Sequence, residues 1–385
     1  MSANSLRRTI YDDVHKQFRE SVRTFLEREA VPHAEEWERE GIVDRSFWRK
    51  AGAAGFVGFE APEEYGGIGA SDFRFNAVID EEVEYLGVVS DNFALENDIV
   101  APYLIELTNE EQRRRWLPAF TAGELVVAIA MTEPGAGSDL QGMSATARRD
   151  GDVYILNGSK TFVTSGIQAD LVIVAARTSQ GGAREGFSLL VVENGAEGFD
   201  RGRKLEKIGR RAQDTAEMYF NQVAVPVENR LGEQGRGFPY LMRNLPRERL
   251  SIAISAVAAA EHALDLTLDY VRQRHAFGQP IGSFQANRFL LAEMKTEVSA
   301  ARVYVDRCIQ AICDGELSDA EAAGAKAWTT DLQFQVLDNC LQLHGGYGYM
   351  SEYAISRLWR DARVQRIYGG TNEVMKEIVG RSLGL

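Results

Sequence analysis

Between residues 10 and 125 apolar positions recur at spacings of three and four: Val14, Phe18, Val22 and Phe25, then Trp48, Ala51 and Phe56. That period belongs to helices with one buried stripe, so a packed helical layer is expected. Gly66, Gly67 and Gly69 mark an irregular loop within it. A helix is predicted over 91–107 as the floor of a pocket, with Pro102 bending it or interrupting its bonding. Near residue 125 the period shortens to that of strands, over 125–130, 153–156, 161–164, 171–176, 187–192 and 218–225. Asn157-Gly158 between two of these is a strong hairpin signal. The block predicts a compact antiparallel sheet or barrel ending near Gly235. Beyond Phe238 helices return over 249–274, 284–312 and 320–344. The second carries the stripe Leu291, Met294, Val298, Ala301, Val305 and Cys308. A short last helix starts at Thr371, with Glu373 in its first turn. Four such helices suit an antiparallel bundle.

The fold class is therefore mainly α with a middle β domain, divided as 1–124, 125–235 and 236–385. A chain of 385 residues, 45% hydrophobic, is long enough for several cores. Its formal net charge of -13 argues against a nucleic-acid binder, which needs a clustered basic face. A polyanionic ligand would have to be met locally, with Arg201, Arg203, Lys204, Lys207, Arg210 and Arg211 as candidates; a solvated charged turn is an equal reading of each. Cys308, Cys313 and Cys340 fall in helical patterns at no metal or redox spacing and read as reduced core thiols. Five scattered histidines predict no metal centre. Arg7 and Arg8 are followed by Asp12 and Asp13 with no apolar signal core, and no apolar run reads as a bilayer span. A cytoplasmic protein, bacterial in the simplest case, is expected.

Two places carry chemistry. After the strand over 125–130 come Met131, Thr132, Glu133, Pro134, Gly135, Ala136, Gly137, Ser138 and Asp139. Small residues there let backbone N–H groups and two hydroxyls approach a polar ligand. No GxGxxG spacing and no strand–helix alternation follow, so a dinucleotide-binding α/β fold is excluded. The second place is Glu248, where the long apolar helix is expected to begin; alone, such a carboxylate reads as a dipole-favoured surface residue or a partner of Arg247 or Arg249.

Added to the first place, Lys160 to Thr164, Arg274 to Gly278, Gln342 to Gly348 and Tyr368 to Glu373 occur in an order and spacing that resemble the acyl-CoA dehydrogenase family over essentially the whole chain. The segments Lys204 to Lys207 and Ala212 to Glu217 look most like its long-chain branch. The resemblance implies a helical domain, an antiparallel β-barrel and a four-helix bundle, assembled as a homotetramer that binds FAD and acyl-CoA and passes electrons to an electron-transfer flavoprotein. Thr132 and Ser138 match positions bonding the flavin ring and substrate region, Thr164 a hydroxyl near the reactive nitrogen, and Phe162 a ring against the flavin. Ile129, Met131, Gly137 and Val163 belong to the same implied set, although Met131 also reads as core. Arg274, Phe277 and Gln285 match contacts to the pyrophosphate and adenine end that come from a neighbouring subunit. Gln342, Gly345 and Gly346 match another cofactor turn, and Thr371 and Glu373 the last contact, at a helix start that favours phosphate. Ser138, Arg249, Gly369 and Gly370 form the implied substrate set.

Many members carry the catalytic Glu just before the Gly-Thr of the last motif, where this chain has Gly369. The long-chain and isovaleryl types carry it in a Leu-x-x-Glu-Arg segment, matched by Leu245 to Arg249, so Glu248 is the expected base. A carboxylate against an apolar pocket has the raised pKa that α-proton abstraction needs. The resemblance implies that the Gly369 N–H and a cofactor hydroxyl polarise the thioester, with the bare Gly369 leaving room for Glu248. His275 and His344 are left outside the catalytic set, and Glu96 and Asp98 are expected to face solvent because unpaired buried carboxylates are costly. An acyl-CoA oxidase, a flavin monooxygenase or a non-catalytic member on the same scaffold are the alternatives.

Overall fold

A computed structural model describes residues 8–88, 92–179 and 186–385. The first helices are α1 (Asp13–Glu29), α2 (Ala34–Glu40), α3 (Arg45–Ala53) and α4 (Arg74–Leu86). Val14 departs from the expected stripe and is 55% exposed, while His15 turns inward, its Nε2 lying 3.2 Å from Asp72. α4 is shared between two cores: Ile79 and Val83 join the N-terminal one, Ala77 and Val78 the C-terminal one. Its buried Glu81 and Glu82 are held by four arginines, with Arg8 and Arg302 on Glu81 at 2.7 and 2.8 Å, Arg23 on Glu82 at 2.7 Å, and Arg19 on both.

The predicted helix over 91–107 is broken into α5 (Asn92–Ala94), a π-helical stretch Leu95–Val100 and α6 (Ala101–Glu106); Asp91 lies outside the described residues. Pro102 sits in the first turn of α6, where its missing N–H is cheapest. α7 (Glu110–Thr121) completes the layer.

The sheet comprises β1 (Val127–Ala130), β2 (Thr146–Asp150), β3 (Val153–Thr164), β4 (Leu171–Arg177), β5 (Phe187–Glu193), β6 (Phe199–Lys204), β7 (Thr215–Pro226) and β8 (Arg230–Leu231). Its order is β6-β7-β3-β2-β4-β5-β8, with β1 beside β4. The pairing is mainly antiparallel, but β1 runs parallel to β4. Leu171, Ile173 and Ala175 pack toward the helical layer while Val172, Val174 and Ala176 fill a core on the other face, which is why β4 reads as one apolar run.

Asn157-Gly158 is not a hairpin. β3 continues through it for 12 residues, with a register shift against β7 between Leu156 and Gly158. A Cβ on Gly158 would stand 2.8 Å from the Ala145 Cβ, so glycine serves a bulge and a close approach rather than a turn. The β2–β3 turn uses Gly151, at φ +59.

α8 (Gly237–Gln273) spans 37 residues, starting well before the expected position. Glu248 is therefore inside the helix, not at its beginning. α8 packs on α4, on α9 (Gln285–Cys313) and on α10 (Asp319–His344); a β9–β10 hairpin (His275–Ala276, Gln279–Pro280) links α8 to α9. A helix absent from the sequence reading, α11 (Ala354–Ala362), precedes α12 (Asn372–Ser382), which Thr371 caps by accepting the Val374 N–H. Cys308 and Cys340 are buried, but Cys313 is exposed at the end of α9, where the helix leaves the core. α8 does meet the length and apolarity of a bilayer span, yet 72% of its most apolar stretch is buried inside the protein, as in a core helix.

Candidate active site

The loop after β1 rests on a buried ion pair. Lys160, from β3, donates to Glu133 Oε1 at 2.8 Å and to the Met131 carbonyl at 3.0 Å. Glu133 also accepts from the Ser144 N–H and hydroxyl, each at 2.6 Å, and from the Ala145 N–H at 3.0 Å. With its donors anchored below, the loop leaves Gly137 open: a Cβ there would meet nothing within 4 Å. Across from it, Phe162 takes a left-handed φ of +58 and is 68% exposed. Such a conformation is strained for an aromatic residue and presents the ring at the rim of the cavity.

That cavity has a volume of about 480 Å³. Ile129, Met131, Thr132, Gly137, Ser138, Phe162, Val163 and Thr164 line it from the sheet side. Leu95 and Ile99 of the π-helical stretch, with Phe238, Met242 and Leu245 of α8, form an apolar wall. Glu96 and Asp98 are not solvent-facing as expected but buried behind that wall. Asp98 accepts from Asn76 Nδ2 and Ser251 Oγ, both at 2.6 Å, which offsets part of its desolvation; burial still raises its carboxyl above the ordinary value. Burial pushes the Glu96 carboxyl well above its ordinary value, because the charged form loses its solvation there.

Glu248 enters from α8, about one turn of helix beyond Leu245 and nearly two beyond Met242. It is only 4% exposed, and its Oε1 has no hydrogen-bond partner among the described residues. Burial raises its carboxyl to about 7, with Arg249 and the Tyr103 hydroxyl pulling the other way. Arg249 is buried beside it and pairs with Asp319. Gly369 and Gly370 close the cavity opposite, both left-handed at φ +63 and +88. The room above Gly369 is not left for Glu248: a Cβ there would lie 2.4 Å from Ile252 Cδ1, so α8 fills it itself. The cavity thus combines a desolvated carboxylate, an open backbone cradle and an exposed aromatic ring beside an apolar tunnel.

The other expected cofactor residues lie elsewhere on the chain. Arg274, Gly345 and Gly346 line a separate open depression of about 550 Å³. Phe277 stands 95% exposed on the β9–β10 turn at φ +51, and Gln285 opens α9. Gln342 is at the end of α10, while Thr371 and Glu373 are at the start of α12. None of these five lines the Glu248 cavity. Among the candidate polyanion contacts, Arg201 holds the Gly166 carbonyl, Lys204 and Lys207 hold those of Glu40 and Gln213, and Arg210 pairs with Glu84 at 2.8 Å. These four brace the turn internally, while Arg203 and Arg211 stay exposed. Lys326, Ile252 and Leu95 were missed; the lysine's one sequence signal was its place among alanines on α10's buried face.

Family models for the acyl-CoA dehydrogenase N-terminal, middle and C-terminal domains match residues 12–124, 128–223 and 235–384. The chain is 48% identical to the mitochondrial long-chain specific acyl-CoA dehydrogenase of Sus scrofa over 378 residues, covering 98% of this chain and 88% of that protein. A crystal structure of acyl-CoA dehydrogenase from Geobacillus kaustophilus superimposes with a TM-score of 0.97 at 50% identity, covering 98% of this chain and 100% of that one. A glutaryl-CoA dehydrogenase from Mycobacterium smegmatis in complex with FADH2 does so with a TM-score of 0.89 at 25% identity, covering 97% and 95%. With these matches running from end to end, the chain belongs to the acyl-CoA dehydrogenase family of flavin-dependent oxidoreductases.

Proposed function

We propose that the protein performs FAD-dependent α,β-dehydrogenation of a medium- to long-chain or branched acyl-CoA to the trans-2-enoyl-CoA, with Glu248 as base. The observation that carries this is the unpartnered, buried Oε1 of Glu248 facing the same cavity as the cradle and Phe162. The residues present suit a flavin: hydroxyls of Thr132, Ser138 and Thr164 and an open glycine approach at Gly137 lie beside a planar aromatic ring. When bound, FAD supplies the hydride acceptor for the substrate β carbon.

Glu248 takes the proton from C2, and desolvation makes its carboxylate basic enough near neutral pH to do so. The Gly369 N–H stabilises charge developing on the thioester oxygen, with Ser138, Arg249 and Gly370 around the same end. The wall of Leu95, Ile99, Phe238 and Met242 excludes water and receives the acyl tail; Glu96 and Asp98, turned away, leave it apolar. The likeness to a long-chain enzyme supports the same tail.

In a homotetramer, Arg274, Phe277 and Gln285 hold the pyrophosphate and adenine end of a neighbour's cofactor, Gln342, Gly345 and Gly346 form a second cofactor turn, and Thr371 and Glu373 make the last cofactor contact; the separation of Arg274, Phe277 and Gln285 from the Glu248 cavity within one chain supports this. The same reading divides the chain at 125 and 236 and takes an electron-transfer flavoprotein as acceptor, in a cytoplasmic protein. The test is Glu248→Gln. Yellow, folded protein that neither bleaches with acyl-CoA nor exchanges its α-proton with D2O is expected; unchanged exchange overturns the reading.

A further inference from the structure

Lys326 lies on α10 with no exposed side chain, yet no carboxylate reaches ion-pair distance of it among the described residues. Its ammonium donates to the Gly370 carbonyl at 2.7 Å and to Asn372 Oδ1 at 3.0 Å. Asn372 is itself locked, its Nδ2 donating to Thr330 Oγ1 and Asp331 Oδ1, each at 2.9 Å. A buried ammonium with no carboxylate in direct contact, only Asp331 and Glu373 at longer range, is an expensive way to fasten two helices, and an apolar side chain of that length would pack at lower cost. Burial, with the neighbouring Arg249, lowers its pKa to about 7.

What the ammonium holds is a two-glycine turn at the edge of the cavity. Gly369 and Gly370 are consecutive left-handed glycines, free to adopt many conformations unless tied down. One side of the turn is wedged by Ile252, and a Cβ at Gly370 would lie 2.6 Å from Met375 Cε. These contacts are apolar and non-directional, whereas the bond from Lys326 fixes the orientation of a peptide carbonyl. We propose that Lys326 is a positioning residue: by anchoring the Gly370 carbonyl it aims the Gly369 N–H at the thioester oxygen. This rests on the dehydrogenation proposed above.

The test uses holoenzyme carrying Lys326→Met, a neutral side chain of similar length. Transfer of the acyl-CoA C2 proton to D2O, followed by mass spectrometry, reads carbonyl polarisation without electron transfer. Exchange and kcat are expected to fall about 100-fold, the size of a lost oxyanion donor, with KM within about threefold and flavin content retained. Lys326→Gln, still a donor, is expected to recover part of the loss. Wild-type exchange by folded Lys326→Met overturns the proposal, as does a loss explained entirely by missing flavin or a lower Tm. If Lys326→Met does not fold, Asn372→Ala decides: it frees the ammonium from one acceptor, and exchange must drop with KM unchanged or the proposal fails. Wild-type exchange by Glu248→Gln would instead sink the underlying reading, whatever Lys326→Met does.

Discussion

Ile252 Cδ1 stands 2.4 Å from where a Cβ on Gly369 would lie, and Ile252 is one helical turn beyond Glu248 on α8. One helix thus carries the proposed base, Glu248, and its Ile252 blocks position 369, the other place the family resemblance implies for it. Moving the base to 369 therefore requires removing a methyl group as well as adding a carboxylate.

Glu248→Gly with Gly369→Glu is expected to stay at least about 100-fold below wild type in flavin bleaching, since the new side chain meets Ile252 at a strained left-handed φ. Adding Ile252→Ala should recover about tenfold or more. Equal rates for the double and triple variants would show that Ile252 does not control the site.

The rate of α-proton exchange should rise through an apparent pKa near 7, where Glu248 ionises. Stability carries the opposite sign. A carboxyl held above its ordinary 4.5 by burial costs nothing while protonated, increasingly more from pH 4.5 to 7, and a constant amount above. Glu248→Gln should therefore be more stable than wild type by on the order of 3 kcal/mol above pH 7, a gap that closes toward pH 4.5. Urea titrations of ligand-free holoenzyme at pH 5 and pH 8 check this.

Lys160 and Glu133 hold the cradle from below. Lys160→Met leaves Glu133 buried without its cation, and a loss of about 3–5 kcal/mol is expected. Because the loop carries Thr132 and Ser138, the variant should also purify with reduced flavin, read as the ratio of visible to ultraviolet absorbance.

In the proposed reading the apolar wall sets chain length. Ile99→Phe adds volume where the acyl tail runs, so kcat/KM should shift toward shorter acyl-CoAs, at about 0.8 kcal/mol for each methylene excluded. A graded series of acyl-CoAs measures the shift; an unchanged profile would place the tail elsewhere.

Much of the fold could be read from the sequence because its signals are local. The stripe from Leu291 to Cys308 follows from a 3.6-residue period and is buried throughout. Thr371 caps its helix as its side chain predicts. The motif segments also located the cradle and Glu248. Errors arose where two local readings are equally good: Asn157-Gly158 suits a turn or a bulge, and only the pairing of β3 with β7 chooses the bulge. Val14 and His15 exchanged places because the ring of His15 finds Asp72, 57 residues away.

By itself, the order of residues determined the helical and strand periods, the family segments and the absence of a carboxylate at Gly369. Only the tertiary structure decided that Glu96 and Asp98 are buried behind the cavity, that Ile252 occupies the space over Gly369, and that Lys326 holds the Gly370 carbonyl. The reason is physical. Whether a charged side chain can be buried depends on partners and desolvation supplied from distant parts of the chain, and neither leaves a trace in local periodicity.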